Sequence, residues 1–258
     1  MRKRPESRIR SLRKGADMQV KVEIKSLDEV KSWLKSIPEK QLPFALSKAV
    51  NDTAKEVKAE LVNEMKRVFD RPTNYTLNSV FIKPATKRDL TAIVGFKEWG
   101  GKGTPASKYL APQMFGGNRG LKRSERSLQR AGLLPSGMYW TPGKGARLNS
   151  HGNISGGQIT QILSVLQASV DTAQNMTARS RVKNRKPREY FVGKPGGGRL
   201  PLGVYERRGR KIKPVLVFVK SPNYKPRFLF FETAEKTVNK VWLQKMGEAI
   251  QYALATAR

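Results

Sequence analysis

The sequence predicts an α+β protein: a mostly antiparallel twisted sheet packed against a long helix in the first half of the chain and another at its end, with a long Gly-rich basic insertion. Three observations carry this expectation. Val20, Val22 and Ile24 alternate with Lys21, Glu23 and Lys25, the period of a half-buried strand. Leu46, Val50, Thr53, Val57, Leu61 and Met65 fall on one stripe at helical spacing, and Ala234, Val238, Val241, Met246, Ile250 and Leu254 do the same near the C-terminus.

Residues 1–17 hold seven Lys and Arg against Glu6 and Asp17 and almost nothing apolar, so they read as a basic arm. Met18, where the strand pattern begins, is a candidate alternative start. Ser26 followed by Glu29 forms a capping box, and Leu27, Val30, Leu34 and Ile37 keep helical spacing up to Pro38. The longer helix starts near Leu42 with Pro43 in its first turn, where a missing N–H costs nothing. The loop Phe69–Asn74 stops it. Val80 to Lys83 and Leu90 to Phe96 then read as a hairpin across Pro84 to Asp89.

From Gly100 to Gly157 the chain is rich in Gly, Pro and Ser, interrupted by one basic helical stretch, Leu121 to Arg130. Irregular segments of such length are functional or are ordered by partners, so this stretch reads as the start of an insertion. Ser155 caps a further helix bearing Ile159, Ile162, Leu163, Leu166 and Val170. Arg179 to Lys213 is the densest charge run, with strand patterns around Gly196-Gly197-Gly198 and Arg208-Gly209, and reads as a basic hairpin or loop. Val215 to Val219 is a buried strand, and the last helix runs from about Phe231 to Ala257. The expected organisation is an arm at 1–17, an α+β core at 18–99 and 214–258, and an insertion at 100–213.

Composition narrows the chemistry. The chain has 258 residues with 51 Lys and Arg against 20 Asp and Glu, a formal charge of +31, one His and no Cys. Without Cys there is no disulfide framework, thiol nucleophile or thiolate metal site, and His151 alone makes no His cluster. A phosphate loop fails at Phe96 and Gly103, and Gly101-Lys102-Gly103 and Gly143-Lys144-Gly145 lack the third glycine of a dinucleotide site. The pairs Asp28 with Glu29, Asp52 with Glu56, and Glu232 with Glu235 read as solvated helix charges. His151 reads as a loop histidine. The expectation is therefore a protein that is not an enzyme and takes no cofactor and no metal. No apolar run approaches the roughly 18 residues of a membrane span, and the basic N-terminus leads into no apolar signal-peptide segment, so no membrane is expected.

The charge asks for an acidic partner, either nucleic acid or an acidic protein surface. The residues expected to meet it are Arg2, Lys3, Arg4, Arg8, Arg10, Arg13 and Lys14 in the arm, and Arg181, Lys183, Arg185, Lys186, Arg188, Arg207, Arg208, Arg210 and Lys211 in the basic run. Tyr190, Phe191 and Tyr205 lie among those cations and would stack on exposed bases if strands were open. No zinc-finger, RNP or KH pattern accompanies them, so the expected contact is to the backbone, with a solvated or protein-facing basic surface as the open alternative. Trp33 and Trp242 fall within helices and read as core. Trp99 and Trp140 flank or enter the insertion and are assigned as interface residues, with inward packing as the alternative.

The segment Gln19 to Met65, with its strand, Ser26-Leu27-Asp28-Glu29, short helix and long Ala-rich helix, resembles the opening of the tail-completion and neck proteins of tailed bacteriophages, including the lambda-like minor tail protein Z group. Leu42-Pro43-Phe44-Ala45-Leu46, Ala49-Val50-Asn51-Asp52-Thr53-Ala54 and Phe69-Asp70-Arg71-Pro72-Thr73 are similar to phage tail-module proteins. Arg227-Phe228-Leu229-Phe230-Phe231-Glu232-Thr233-Ala234 resembles their closing element, in which a strand leads into a helix that packs back on the long one. The resemblance covers roughly 19–96 and 214–257, and residues 100–213 depart from the smaller members. It implies a structural virion protein of the tail or head–tail junction, assembled in the host cytoplasm as a homo-oligomeric ring that contacts portal and tail proteins and possibly genomic DNA. The alternative is a sequence-nonspecific DNA- or RNA-binding protein.

Overall fold

A computed structural model describes residues 18–23, 41–98, 103–183 and 189–256. In chain order the elements are β1 (Gln19–Glu23), α1 (Leu42–Val68), α2 (Asn74–Leu77), β2 (Val80–Lys83), β3 (Thr91–Phe96), α3 (Ala106–Phe115), β4 (Gly117–Asn118), α4 (Arg123–Arg130), β5 (Met138–Pro142), α5 (Gly156–Val165), a 3-10 turn (Thr172–Gln174), α6 (Ala178–Lys183), β6 (Glu189–Gly193), β7 (Gly203–Arg208), β8 (Lys211–Lys220), β9 (Asn223–Tyr224) and α7 (Phe230–Ala255). The fold is α+β, with long helices in the first half and at the end of the chain and antiparallel sheets. The expected helix at Ser26 to Ile37 and the arm lie outside the described residues.

The chain divides into two compact units, residues 1–115 with 225–258, and Gly116–Tyr224. In the first, β1, β3 and β2 form an antiparallel sheet in that order, with Val20 opposite Val94 and Val80 opposite Phe96. The stripe of α1 is buried as its spacing requires: Leu46, Val50, Thr53, Val57, Leu61 and Met65 all lie inside, against Val20, Val22, Val94 and Phe96 of the sheet. Ala45, Ala49 and Ala54 on α1 and Ala234, Ala249 and Ala253 on α7 are also buried, and small side chains let two helix backbones approach closely. Lys245 on α7 reaches Glu56 on α1 at 3.3 Å. Asp52 pairs within its helix with Lys48 and Lys55, as a solvated helix carboxylate does.

The buried face of α7 is set by Phe230, Ala234, Val238, Trp242, Met246, Ala249 and Ala253. It thus runs through Trp242, as expected of a core tryptophan, while Leu254 is exposed, contrary to the expected stripe. Large and small apolar residues alternate on this helix, so more than one stripe fits the sequence. The lead-in to α7 is also not a strand. The N–H groups of Arg227 and Phe228 both donate to the carbonyl of Gln113 at the end of α3, and the chain passes there without a ladder. Helix α3 lies in the Gly-, Pro- and Ser-rich stretch that reads as an insertion with one helix at Leu121 to Arg130, and it forms there with Pro112 inside it.

The second unit is a four-stranded antiparallel sheet in the order β5-β8-β7-β6, packed on α4 and α5 through Leu128, Leu134, Trp140, Ile162, Val204, Leu216 and Phe218. The expected boundary at 214 therefore falls inside β8, whose ten residues pair with β5 on one side and β7 on the other. The apolar run Val215 to Val219 completes this second core and not the first. Ser155 does cap α5, accepting the Gln158 N–H at its hydroxyl, but the helix stops at Val165 and Val170 is exposed beyond it. Gly203 lies where β7 presses on β8. A Cβ there would collide with the Leu216 carbonyl oxygen and sit 3.2 Å from Val217 Cα, both backbone atoms of a central strand. Gly203→Ala is accordingly expected to lower the stability of this unit by about 3 kcal/mol, the upper part of the range for overpacking, read from its thermal midpoint; an unchanged midpoint would contradict the assigned register.

Candidate polyanion interface

Between Gly116 and Tyr224 the sequence carries 21 Lys and Arg against 4 Asp and Glu, a net +17. Three of those four acids are spent inside the unit. Glu206, nearly buried, accepts from Arg208 Nε at 3.0 Å. Asp171 accepts from the N–H of Ala173 at 3.0 Å and from Gln174 Nε2 at 3.3 Å. Glu125 is fully buried and accepts from four donors. Asp171 and Glu189 are the exposed acids of the unit, and the Asp171 carboxylate is bonded within its own turn.

The cations, by contrast, stand outside. β7 and β8 form a hairpin with Arg208 opposite Lys211 and only Gly209 and Arg210 in the turn. Gly209 has φ +57°, the left-handed backbone that glycine allows at the first position of a tight hairpin turn. Arg207, Arg208, Arg210, Lys211 and Lys213 are all exposed along this hairpin, and Lys194 and Arg199 are exposed on the connection between β6 and β7. The four hairpin residues expected at the contact are thus brought together. Arg181 and Lys183 fall on α6. The seven arm cations, Arg185, Lys186, Arg188 and Trp99 lie outside the described residues.

The aromatic expectations need correction. Tyr190 and Tyr205 are buried, so neither offers a ring face to a base. Tyr205 donates its hydroxyl to the Pro201 carbonyl at 2.5 Å and stacks on Phe191 with ring centroids 5.7 Å apart. Trp140 is not an interface residue either. It is 3% exposed, packs in the second core opposite Phe218, and donates its indole N–H to the Ser124 hydroxyl. An edge strand whose inward positions carry the core explains this placement better than its neighbourhood in a Gly-rich stretch.

Sequence reading missed the polar cluster beneath α4. Glu125 is the third residue of that helix and accepts from the Lys122 N–H at 2.6 Å, half of a capping box, and from the outward-facing Trp140 N–H of edge strand β5 at 3.0 Å. Arg119 clamps the same carboxylate through Nη1 at 2.8 Å and Nη2 at 2.6 Å. Burial alone would push the Glu125 carboxyl up, but Arg119 and the two N–H groups outweigh it and hold the carboxyl below its ordinary range. Arg119 also lies over the Tyr139 ring at 4.8 Å and Lys122 over the Trp140 ring at 3.8 Å. Although the Lys122 side chain is exposed as a whole, desolvation of its ammonium on that ring, with Arg119 nearby, lowers it to about 8. The sequence pointer was the lone acid in the basic stretch from Arg119 to Arg130.

Among the described residues no group of three or more His, Cys, Asp or Glu gathers to hold a metal ion, and no helix is long and apolar enough to cross a membrane. Compared with known proteins, the chain matches no family model, no curated protein and no solved structure.

Proposed function

We propose that this chain is a non-enzymatic structural subunit of a tailed-phage virion, at the tail or head–tail junction, that closes into a homo-oligomeric ring and presents its basic second unit to DNA or to acidic neighbours. The observation that carries the reading is the division of the chain. Most of the two stretches that resemble tail-completion and neck proteins, although far apart in sequence, fold together as one unit in which α1 and α7 pack on each other and on a three-stranded sheet. The intervening residues hold a core of their own. One unit supplies a rigid body for repetition, and the other supplies a contact surface of fixed charge. A heterologous interface repeated by rotation closes at one subunit number, which makes the mechanism geometric. Electron microscopy of the purified chain is expected to show closed rings of a single size. Open filaments or isolated subunits at every concentration would contradict the reading.

A second reading, a sequence-nonspecific nucleic-acid-binding protein acting as a monomer, is favoured by the hairpin cations, which stand exposed while most acids of the same unit are paired internally. Attraction of this kind reads the phosphate backbone and falls steeply with salt.

A further inference from the structure

We propose that Arg207 is the phosphate anchor of the basic hairpin, a guanidinium held on an aromatic column that receives the phosphodiester backbone of a nucleic acid. This rests on the reading of the second unit as a polyanion surface and names the residue around which that surface is organised. The column begins at Tyr205, fully buried and fixed by its hydroxyl to the Pro201 carbonyl. Phe191, directly opposite Tyr205 in the β6–β7 register, stacks on it at an interplanar angle of 24°. Arg207, two residues beyond Tyr205 and so on the same side of β7, places its Cζ 5.1 Å from the centre of the Phe191 ring.

The other two cations near rings among the described residues of this unit, Arg119 and Lys122, do not offer a free planar fork. Arg119 is clamped to Glu125, and Lys122 is a point charge without a planar fork. Arg208, next in sequence, pairs with Glu206. Glu189 stands opposite Arg207 in the register, yet the two form no ion pair, so among the described residues the Arg207 guanidinium keeps its donors for a ligand. Resting on a ring removes part of the rotamer freedom that a long side chain otherwise loses on binding, and the planar fork matches two oxygens of one phosphate. Arg210, at the turn, has no such support.

The test is fluorescence anisotropy of a labelled short duplex, and of the matching single strand, titrated with the full chain across a series of salt concentrations. Arg207→Gln is expected to weaken binding about tenfold and to reduce the slope of log affinity against log salt by about 0.9, while Arg210→Gln has the smaller effect on affinity. Arg207→Lys keeps the charge and loses the stacked plane, so it is expected to keep the slope and weaken binding about two- to fivefold. Phe191→Leu is expected to do the same, and where it fails to fold, Arg207→Lys decides. Equal losses for Arg207→Gln and Arg210→Gln, with wild-type binding intact, would overturn the anchor and leave the polyanion surface standing. Absence of salt-sensitive binding by the wild-type chain would overturn both. Competition by polyglutamate as effective as by DNA of equal charge would assign the hairpin to an acidic protein and overturn the proposal.

Discussion

Glu125→Ala is expected to cost the second unit about 3 to 5 kcal/mol, the range for breaking a buried pair from one side. The loss has two parts. The carboxylate satisfies the Lys122 N–H at the start of α4 and the Trp140 N–H on the free edge of β5, so its removal leaves both without this acceptor, one of them in the core. It also neutralises Arg119, which is largely enclosed and would keep its charge without a partner. Glu125→Gln retains an acceptor for one N–H but turns an amide N–H toward the guanidinium, so a smaller loss is expected. The acid dependence follows from the same geometry. Because the folded carboxyl titrates below its unfolded value, its contribution is fully present above the unfolded value near 4.3 and is lost as pH falls through the lower folded one. Hydrogen exchange at the Trp140 amide reports this directly: it is expected to accelerate in Glu125→Ala and, in the wild type, only at acid pH. Unchanged protection in the variant would contradict the role of Glu125.

Replacing Arg207, Arg208, Arg210 and Lys211 together by Gln is expected to lower affinity for a mixed-sequence duplex by about two to four orders of magnitude at low salt. Four full phosphate contacts would account for a salt slope of about 3.6, but Arg208 already pairs with Glu206, so the expected decrease is about 3. Arg210 and Lys211 are exposed and Arg207 rests only on the half-buried Phe191 ring, but loss of Arg208 removes a partner of the buried Glu206 carboxylate, so the variant is expected to lose about 1 kcal/mol of stability while staying folded. A full-strength duplex interaction in this variant, measured by the same salt series, would remove the hairpin from the interface.

The first long helix and the first sheet were legible because their apolar periods are unambiguous: Val20 and Val22 alternate, and Leu46 to Met65 hold one stripe beside Pro43, whereas for the last helix the sequence marked the element but not its exact buried face. The basic hairpin was legible for a similar reason, since strand patterns flank Gly209. What escaped was decided by partners distant in sequence. Val215 to Val219 reads as a buried strand from its composition, but only its pairing with β5 and β7 says which core it enters. Tyr190 and Tyr205 look like stacking residues among cations, yet they point into packed surroundings, and Phe191 is left as the support for Arg207. Trp140 sits in a Gly-rich stretch that hides a two-sided edge strand. Glu125 is informative only once Trp140 is brought beside it by β5.

The most direct measurement of the central claim, a ring-forming body that carries a separate polyanion surface, is the mass of the purified chain by light scattering at low and high salt, with and without a short duplex. The account predicts a discrete multimer that persists at high salt without DNA, to which duplex binds only at low salt. A monomer at high salt that gathers only on the duplex, and disperses as salt rises, would contradict it and make nucleic-acid binding the function of the chain.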